Sequence, residues 1–427
     1  MFKNIHCIGI GGIGVSGLAR ILRWQGHCVT GSDLEPSPVT NKLISENFKI
    51  SFSNSAKNLP QNTNVVIHTT AVREDNPELI EARSRGLKIL TYPEALGEIT
   101  HGKKLIAIAG AHGKTTTTSL LIAGCLAANE DISCIVGTNL KELKGGNARV
   151  GKSNWFILEA CEYRRAFLNL TPNILIVTNV EAEHLDYYRD LEDYQSAFVE
   201  LVKKMPANGV LIANSAEPNL KVLIEAAPKF IDVTETHCNT SLSGEHNRKN
   251  ATLALVAAKT MGLDVIKAEK GIENFTGGWR RFEKKGEYQG ALVFDDYGHH
   301  PTEIKATLAG AREKFPNRRI IIVYQQHQLS RATKLFSELG KSFQNADVII
   351  IPNIYKVRDE EGSANVSAED LVNEIKKNNS AVYYTHDFDG TIQWLKENIK
   401  KNDLLIIMGA GDVFRITERL LSTQLRE

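Results

Sequence analysis

Short runs rich in isoleucine and valine recur along most of the chain, and most are followed by a stretch patterned for a helix. "KLIAIAG", "NWFILEA", "NILIVTNV", "RRIIIVYQ" and "DLLIIMGAGD" are examples. Apolar runs of that length suit strands buried on both faces, and their alternation with helical patterns predicts an α/β fold with mainly parallel sheets. At 427 residues the chain exceeds one ordinary core, and a prior of roughly 150 residues per domain gives two to four domains. Three segments stand out. The first runs from a strand at Ile5–Ile10 to "LKILTYPEAL", and the second from "KLIAIAG" to "GWRRFEKKGEYQG". The third is a five-strand series from "ALVFDDY" to "DLLIIMGAGD". The joins at 97–103 and 283–290 are short, polar and glycine-containing, as domain boundaries tend to be.

Composition narrows the function classes. Fifty-one basic against 50 acidic residues leave a formal charge of +1, so no global field draws the chain to nucleic acid or an anionic membrane. Any anion site must be built locally. No apolar run approaches the ~18 residues of a membrane span, and "MFKNIHCIGIGGIG" reads as neither signal nor transit peptide. The six cysteines are scattered without a C-x-x-C pair, which fits reduced thiols and a cytoplasmic location.

Two glycine loops carry the chemistry. "GIGGIG" sets Gly9, Gly11 and Gly14 in G-x-G-x-x-G between a strand and a helix, with Gly12 inside the turn and Asp33 19 residues after Gly14. Glycines there let the backbone approach a diphosphate, and free N–H groups at a helix start face its charge. NAD is the default ligand for such a turn, but any diphosphate-linked nucleoside fits, and Ser32 and Asp33 suit a ribose or sugar hydroxyl. "IAIAGAHGKTTTTSLLIAG" places Gly110, Ala111, His112, Gly113, Lys114, Thr115 and Thr116 between a strand and a helix, the geometry that cradles phosphate. The longer G-x-x-x-x-G-K-[ST] pattern wants glycine where Ile108 stands, so this loop is either a chance polar turn or a shorter G-x-x-G-K-T-T form. Glu159, which ends the strand in "NWFILEA", His184, which follows the strand in "NILIVTNV", and the Thr115 hydroxyl are candidates for a divalent ion.

Eight ordered blocks then carry a resemblance: "HCIGIGGIGVSGLA", "GAHGKTTTT", "TNVEAEHLDYY", "GEHNRKNA", "GGWRRFE", "DDYGHHPTE", "QQHQLSR" and "MGAGD". In that order, from residue 5 to about 415, the chain resembles the Mur ligases of peptidoglycan synthesis, nearest to the branch that adds L-alanine. The short G-x-x-G-K-T-T loop is a trait of that family. The resemblance implies three α/β domains. These are a Rossmann-like UDP-sugar domain (1–98), a central P-loop ATPase-like domain (99–286) and a Rossmann-like amino-acid-binding domain (287–427).

It also implies the reaction, an ATP-dependent amide bond between the lactyl carboxylate of UDP-N-acetylmuramate and L-alanine through an acyl phosphate. By position, Gly110 to Thr116 would bind the ATP phosphates, with Lys114 on the γ-phosphoryl group. Thr115 and Glu159 would hold Mg2+, or Mn2+ in its place, and His184 a second metal between ATP and the substrate carboxylate. His246, Asn247 and Asn250 would contact adenine, and Arg281 and Asp296 the phosphates and ribose. Gly9, Gly11, Gly12, Gly14, Ser32, Asp33, Thr69, Thr70 and Ala71 would take the UDP-sugar. Tyr297, His300 and Arg331 would lie by the reacting carboxylate and amine, with His300 as a base. The implied assembly is a monomer or weak homodimer, cytoplasmic, with no nucleic-acid or membrane partner.

Four departures bear on this. Ala111 stands where the alanine-adding branch has threonine, and Glu183 where it has aspartate. The block usually written "EADESD" reads "EACEYRRAFL", which keeps Glu159 but puts Cys161, Arg164 and Arg165 at acidic positions where metal or substrate contacts are expected. "QPHRYTR" reads "QQHQLSR", which keeps Arg331 but puts Gln328 in place of an arginine, so a bidentate carboxylate clamp is lost unless Arg358 supplies it. Addition of another amino acid, the peptide-recycling Mur ligase, an inactive nucleotide-binding homologue and an NAD-dependent oxidoreductase are the alternatives.

Overall fold

The structure is a computed structural model that describes residues 3–184, 187–327, 335–355 and 367–424. Arg331, Gln328 and Arg358 lie outside the described residues. Contacts divide the chain into two compact units, Met1–Thr240 with Lys249–Phe275, and Ser241–Arg248 with Thr276–Glu427.

The first unit holds two sheets. Strands β1 (Asn4–Ile8), β2 (Cys28–Asp33), β3 (Lys49–Phe52), β4 (Val65–His68) and β5 (Lys88–Thr91) form a parallel sheet in the order β3-β2-β1-β4-β5. Odd and even residues of β1 serve different faces. Ile5 and Cys7 enter the main core of the unit, while Ile8 joins a smaller cluster with Leu79 and Ala82 of the helix Pro77–Ser84. The first strand stops at Ile8 rather than Ile10, because Gly9 turns the backbone at φ +75°.

The second sheet follows β6 (Lys104–Ala109), β7 (Ser133–Leu140), β8 (Gly146–Arg149), β9 (Trp155–Glu159), β10 (Ile174–Val177), β11 (Val210–Ala213) and β12 (Phe230–Asp232). Its order is β12-β11-β10-β6-β9-β7-β8, with only β8 antiparallel to its neighbour. Leu105–Ala109 of β6 are all buried, as a central strand covered on both faces requires. The carboxyl ends of β6, β9 and β10 adjoin one another, and there an open α/β sheet places its ligands.

The two sheets are joined by a buried polar contact. Arg20, 3% exposed on the helix Ile13–Trp24, donates to both carboxylate oxygens of Glu46 at 2.7 and 3.1 Å and to Asn147 Oδ1 of β8 at 2.7 Å. Asn147 Nδ2 in turn donates to Ile13 O. Replacing Asn147 by alanine leaves a buried guanidinium N–H without its acceptor and takes one donor from Ile13 O, which keeps the Ser16 hydroxyl. It should destabilise the unit by about 2 kcal/mol, measured by urea denaturation.

The second unit is built on β13 (Glu283–Tyr288), β14 (Ala291–Asp296), β15 (Ile320–Tyr324), β16 (Gln326–His327), β17 (Val348–Ile351), β18 (Ile354–Tyr355), β19 (Val382–Tyr384) and β20 (Leu404–Met408). The main sheet runs β13-β14-β20-β15-β17-β19, and β16 pairs with β18 in a small parallel ladder. Along β15, Ile320 and Ile322 enter one core cluster while Ile321 and Val323 enter the other, so both faces are covered. Residues 283–290, expected as a join, are instead mostly β13, an antiparallel edge strand hairpinned to β14. Its sequence, "EKKGEY", is polar because an edge strand exposes much of its length. The other join, 97–103, is helical as far as Thr100.

Candidate active site

The phosphate-type loop forms at the end of β6. Gly110 has φ +133°, and a Cβ there would stand 2.1 Å from Thr178 Oγ1, so no side chain is accommodated. Gly113, at φ +84°, is the residue before the helix Lys114–Ala127, and a Cβ on it would meet Asn250 Oδ1 at 2.6 Å. That helix has no side-chain cap, nor does Ile13–Trp24 after the first glycine turn, whereas Ser37, Asn76, Thr91 and Asp190 cap other helices. Uncapped first turns keep N–H groups available to an anion. The loop is pinned from β10: Asn179 accepts from Ala111 N (3.2 Å) and His112 N (2.9 Å), and its Nδ2 donates to His112 O (3.0 Å). A glycine-to-alanine change at 110 should therefore cost folding stability as well as activity, by about 3 kcal/mol or more in denaturation experiments.

Lys114 folds back over its own loop, donating to Gly110 O and to Ala111 O (3.0 Å), and pairs with Glu162 at 3.1 Å. The Glu162 side chain is 1% exposed, and its carboxylate also lies 3.4 Å from His184 Nε2. Burial lowers the Lys114 pKa, but the Glu162 and Glu183 carboxylates outweigh it and hold the ammonium above its ordinary range. Burial raises the Glu162 pKa, yet Lys114 and His184 bring it down to about 2. Both groups are thus ionised at neutral pH.

One ligand atom from each of Glu162, Glu183 and His184 lies within 4.8 Å of the other two. Buried carboxylates with one imidazole suit a small divalent ion such as Mg2+ or Mn2+. His184 adopts φ +53°, rare outside glycine, and its ring lies 4.8 Å from that of Tyr163. Glu159 is held differently. It accepts from Thr115 Oγ1 at 2.9 Å and from Gly137 N, which links the first helical hydroxyl to β9 and β7. Thr116 is half-buried, and Thr117 Oγ1 donates to Asn250 Oδ1 at 3.2 Å. The structure therefore brings Thr115 to Glu159 as the sequence pairs them, sets His184 with Glu162 and Glu183, and adds Glu162 as the partner of both Lys114 and His184, which sequence reading passed over. The signal was present, because Glu162 matches the second glutamate of "EADESD".

The two arginines of the altered block do not intrude. Arg164 and Arg165 both take positive φ (+50° and +56°). Arg164 lies 5.4 Å from the Tyr163 ring, and Arg165 donates to Glu200 (2.7 Å), Asp193 (2.9 Å) and Ser196 (3.0 Å) of the helix Leu191–Lys203.

At the first glycine turn, Asp33 Oδ2 accepts from Gly11 N at 2.7 Å, and a Cβ on Gly9 would meet Thr69 Cγ2 at 2.5 Å. Thr70 and Ala71 are exposed. A Cβ on Gly14 would stand 2.7 Å from the Tyr92 ring. Ser32, placed by sequence among the sugar contacts, is 1% exposed and its hydroxyl donates to Glu78 at 2.8 Å.

In the second unit, Arg280 joins three of the sequence blocks. Its guanidinium donates to Gly409 O and Gly411 O and lies 5.1 Å from the Tyr297 ring, beside Arg281 at 5.2 Å. Asp296 accepts from Gly298 N (2.7 Å) and Phe282 N (2.8 Å). His300 begins the helix Pro301–Lys314, and its Nδ1 accepts from Thr302 N at 3.3 Å. With Nδ1 accepting, the neutral ring carries its proton on Nε2 and is a donor there. Burial lowers the His246 pKa to about 4, with Arg248 adding to the effect, so its ring is neutral, and Asn247 Nδ2 donates to Ser243 O at 2.7 Å.

Burial pushes both Asp295 and Asp296 up to about 6. A raised folded-state pKa favours folding below the unfolded value near 4, and that advantage is lost as pH rises through 6. Asp295→Asn, whose carbonyl keeps an acceptor for Thr417, should be more stable than the parent at pH 7 by on the order of 1–3 kcal/mol. The gap should close toward pH 4, as read from denaturation midpoints at both pH values.

Family models match three successive stretches: "Mur ligase family, catalytic domain" over residues 4–104, "Mur ligase middle domain" over 108–235, and "Mur ligase, glutamate ligase domain" over 280–411. The UDP-N-acetylmuramate–L-alanine ligase of Clostridium botulinum (strain Langeland) is 37% identical over 454 aligned positions, covering 98% of each chain. Among solved structures, the UDP-N-acetylmuramate–alanine ligase of Thermotoga maritima superposes with a TM-score of 0.84 over all of both chains at 24% identity. A murein peptide ligase from Psychrobacter arcticus gives 0.75 over 98% of each at 26%. With all three segments matched in order on three α/β sheets, the chain belongs to the Mur ligase family.

Proposed function

We propose that this chain joins L-alanine to the lactyl carboxylate of UDP-N-acetylmuramate at the expense of ATP, a step in making peptidoglycan precursors. The observation that carries the reading is the loop at 110–116, with Lys114 paired to Glu162, in a chain that matches alanine-adding relatives over 98% of its length. Residues 1–98 serve the nucleotide sugar, 99–286 ATP and 287–427 the amino acid.

A carboxylate is a poor acyl donor because oxide would have to leave. A lactyl carboxylate oxygen therefore attacks the γ-phosphorus, ADP departs, and an acyl phosphate results. The neutral alanine amine then attacks the acyl carbon, phosphate leaves with the oxygen that came from the carboxylate, and the nitrogen gives up one proton to that departing phosphate. Loop N–H groups of 110–116 and the Lys114 ammonium hold the transferring phosphoryl group in line. Glu162, Glu183 and His184, with the Thr115–Glu159 pair, would hold Mg2+, which would supply neutralisation of the phosphate charge. Asn250 faces the loop from the helix Glu245–Thr260 and is assigned to adenine with His246 and Asn247. Arg281 and Asp296 are assigned to phosphate and ribose. Tyr297 and Arg331 are assigned to the acceptor end. His300, whose Nδ1 is engaged by Thr302, offers an Nε2–H that suits the departing phosphate better than it suits proton removal.

Substrate labelled with 18O in the lactyl carboxylate tests the route. One labelled oxygen should appear in inorganic phosphate for each turnover, and unlabelled phosphate would rule out the acyl phosphate.

A further inference from the structure

Beneath the first glycine turn lies a buried polar cluster to which the reaction above assigns no part. Glu78, 1% exposed, accepts from Ser32 Oγ (2.8 Å) and Asn58 Nδ2 (3.0 Å), and its Oε2 lies 2.7 Å from His6 Nε2. His6, also 1% exposed, uses its other ring nitrogen on Thr30 Oγ1 at 2.9 Å. Glu78 is itself fixed, because its N–H donates to Asn76 Oδ1 (2.8 Å) at the start of the helix Pro77–Ser84. The cluster thus ties β1, β2 and that helix together.

Ser32 connects this cluster to the turn. Its side chain points inward to Glu78, while its carbonyl accepts from Gly9 N (2.9 Å) and Ile10 N (3.0 Å). The next residue, Asp33, accepts from Gly11 N. Residues 32 and 33 therefore hold three successive N–H groups of the turn, and they sit where Glu78 anchors them. A buried hydrogen-bond network acts as a unit when its members satisfy one another.

We propose that Glu78 is a positioning residue for the nucleotide sugar: through the Ser32 hydroxyl it sets the carbonyl that shapes the Gly9–Gly14 turn, and Ser32 is a strut rather than a hydroxyl ligand. The inference rests on the reading that this turn takes the UDP-sugar.

The test is a double-mutant cycle on the full chain with S32A, E78A, the double variant and E78Q. Phosphate release gives kcat and KM, and calorimetry gives binding of UDP-N-acetylmuramate. Each alanine variant should raise KM for UDP-N-acetylmuramate by about tenfold, and the double variant by no more than about the larger single effect. kcat and the KM for ATP should change by less than about twofold, which a general loss of structure would not spare. E78Q keeps an acceptor for Ser32 and should lie between the parent and E78A. If E78A does not fold, S32A with S32A/E78Q completes the cycle. Multiplicative effects would show that Ser32 meets the ligand itself, and an unchanged KM in E78A and E78Q would remove Glu78 from the account. Either result, with the parent binding normally, overturns the inference alone. A parent that does not bind UDP-N-acetylmuramate overturns the reading of the turn and the inference with it.

Discussion

Lys114→Met is expected to lower kcat for phosphate release by on the order of a thousandfold while leaving UDP-N-acetylmuramate binding intact. Methionine keeps much of the length and volume of the side chain but removes the lysine charge of loop 110–116, which the proposed function places on the γ-phosphoryl group. The ammonium donates to two loop carbonyls, so its loss also frees Gly110 O and Ala111 O. Glu162 would be left a buried carboxylate without its cation, which by itself costs several kcal/mol in such pairs. A melting curve of the variant separates that loss from the catalytic one. Calorimetry with UDP-N-acetylmuramate, whose proposed turn lies at Gly9–Gly14, checks that the rest of the unit is intact. A variant that releases phosphate within tenfold of the parent would remove Lys114 from the reaction.

The second large effect is expected at Glu162, a residue that touches both Lys114 and His184. Glu162→Gln preserves shape but removes the charge that keeps the ammonium in place and one carboxylate of the three-residue cluster. The Mg2+ concentration for half-maximal activity should rise about tenfold, and kcat should fall about a hundredfold. Glu162→Asp should recover part of the metal dependence, because it restores charge at a shorter reach. If Glu162→Gln shifts neither quantity, the cluster at 162, 183 and 184 does not hold the ion.

Much of this arrangement is legible in the sequence. A buried run ending in Gly110 and followed by Lys114–Thr115 marks its own place at the carboxyl end of a strand, and β6 supplies it. The three strand-rich segments appear as three main sheets because apolar runs and glycine turns are local signals. What was not legible depends on partners distant in sequence. Arg164 and Arg165 looked like charges set into the site, yet two positive φ angles turn Arg165 toward Asp193 and Glu200, and no pattern in "CEYRR" announces that. The same turn keeps Glu162 inside, against Lys114. Ser32 read as an outward hydroxyl because its partner Glu78 lies 46 residues on. β13 was hidden by its polarity, since an edge strand need not bury alternate residues.

In the proposed reading the choice of amino acid is the step most exposed to the departures in sequence, since "QQHQLSR" has Gln328 where the resembled pattern has an arginine. The most direct test of the central claim is therefore the mass of the nucleotide product formed from ATP, Mg2+ and UDP-N-acetylmuramate with L-alanine, L-serine or glycine in competition. Phosphate release should require L-alanine and yield a product heavier by one alanyl residue. Release driven by another amino acid or by a peptide, or ATP bound without any amide formed, would contradict that claim.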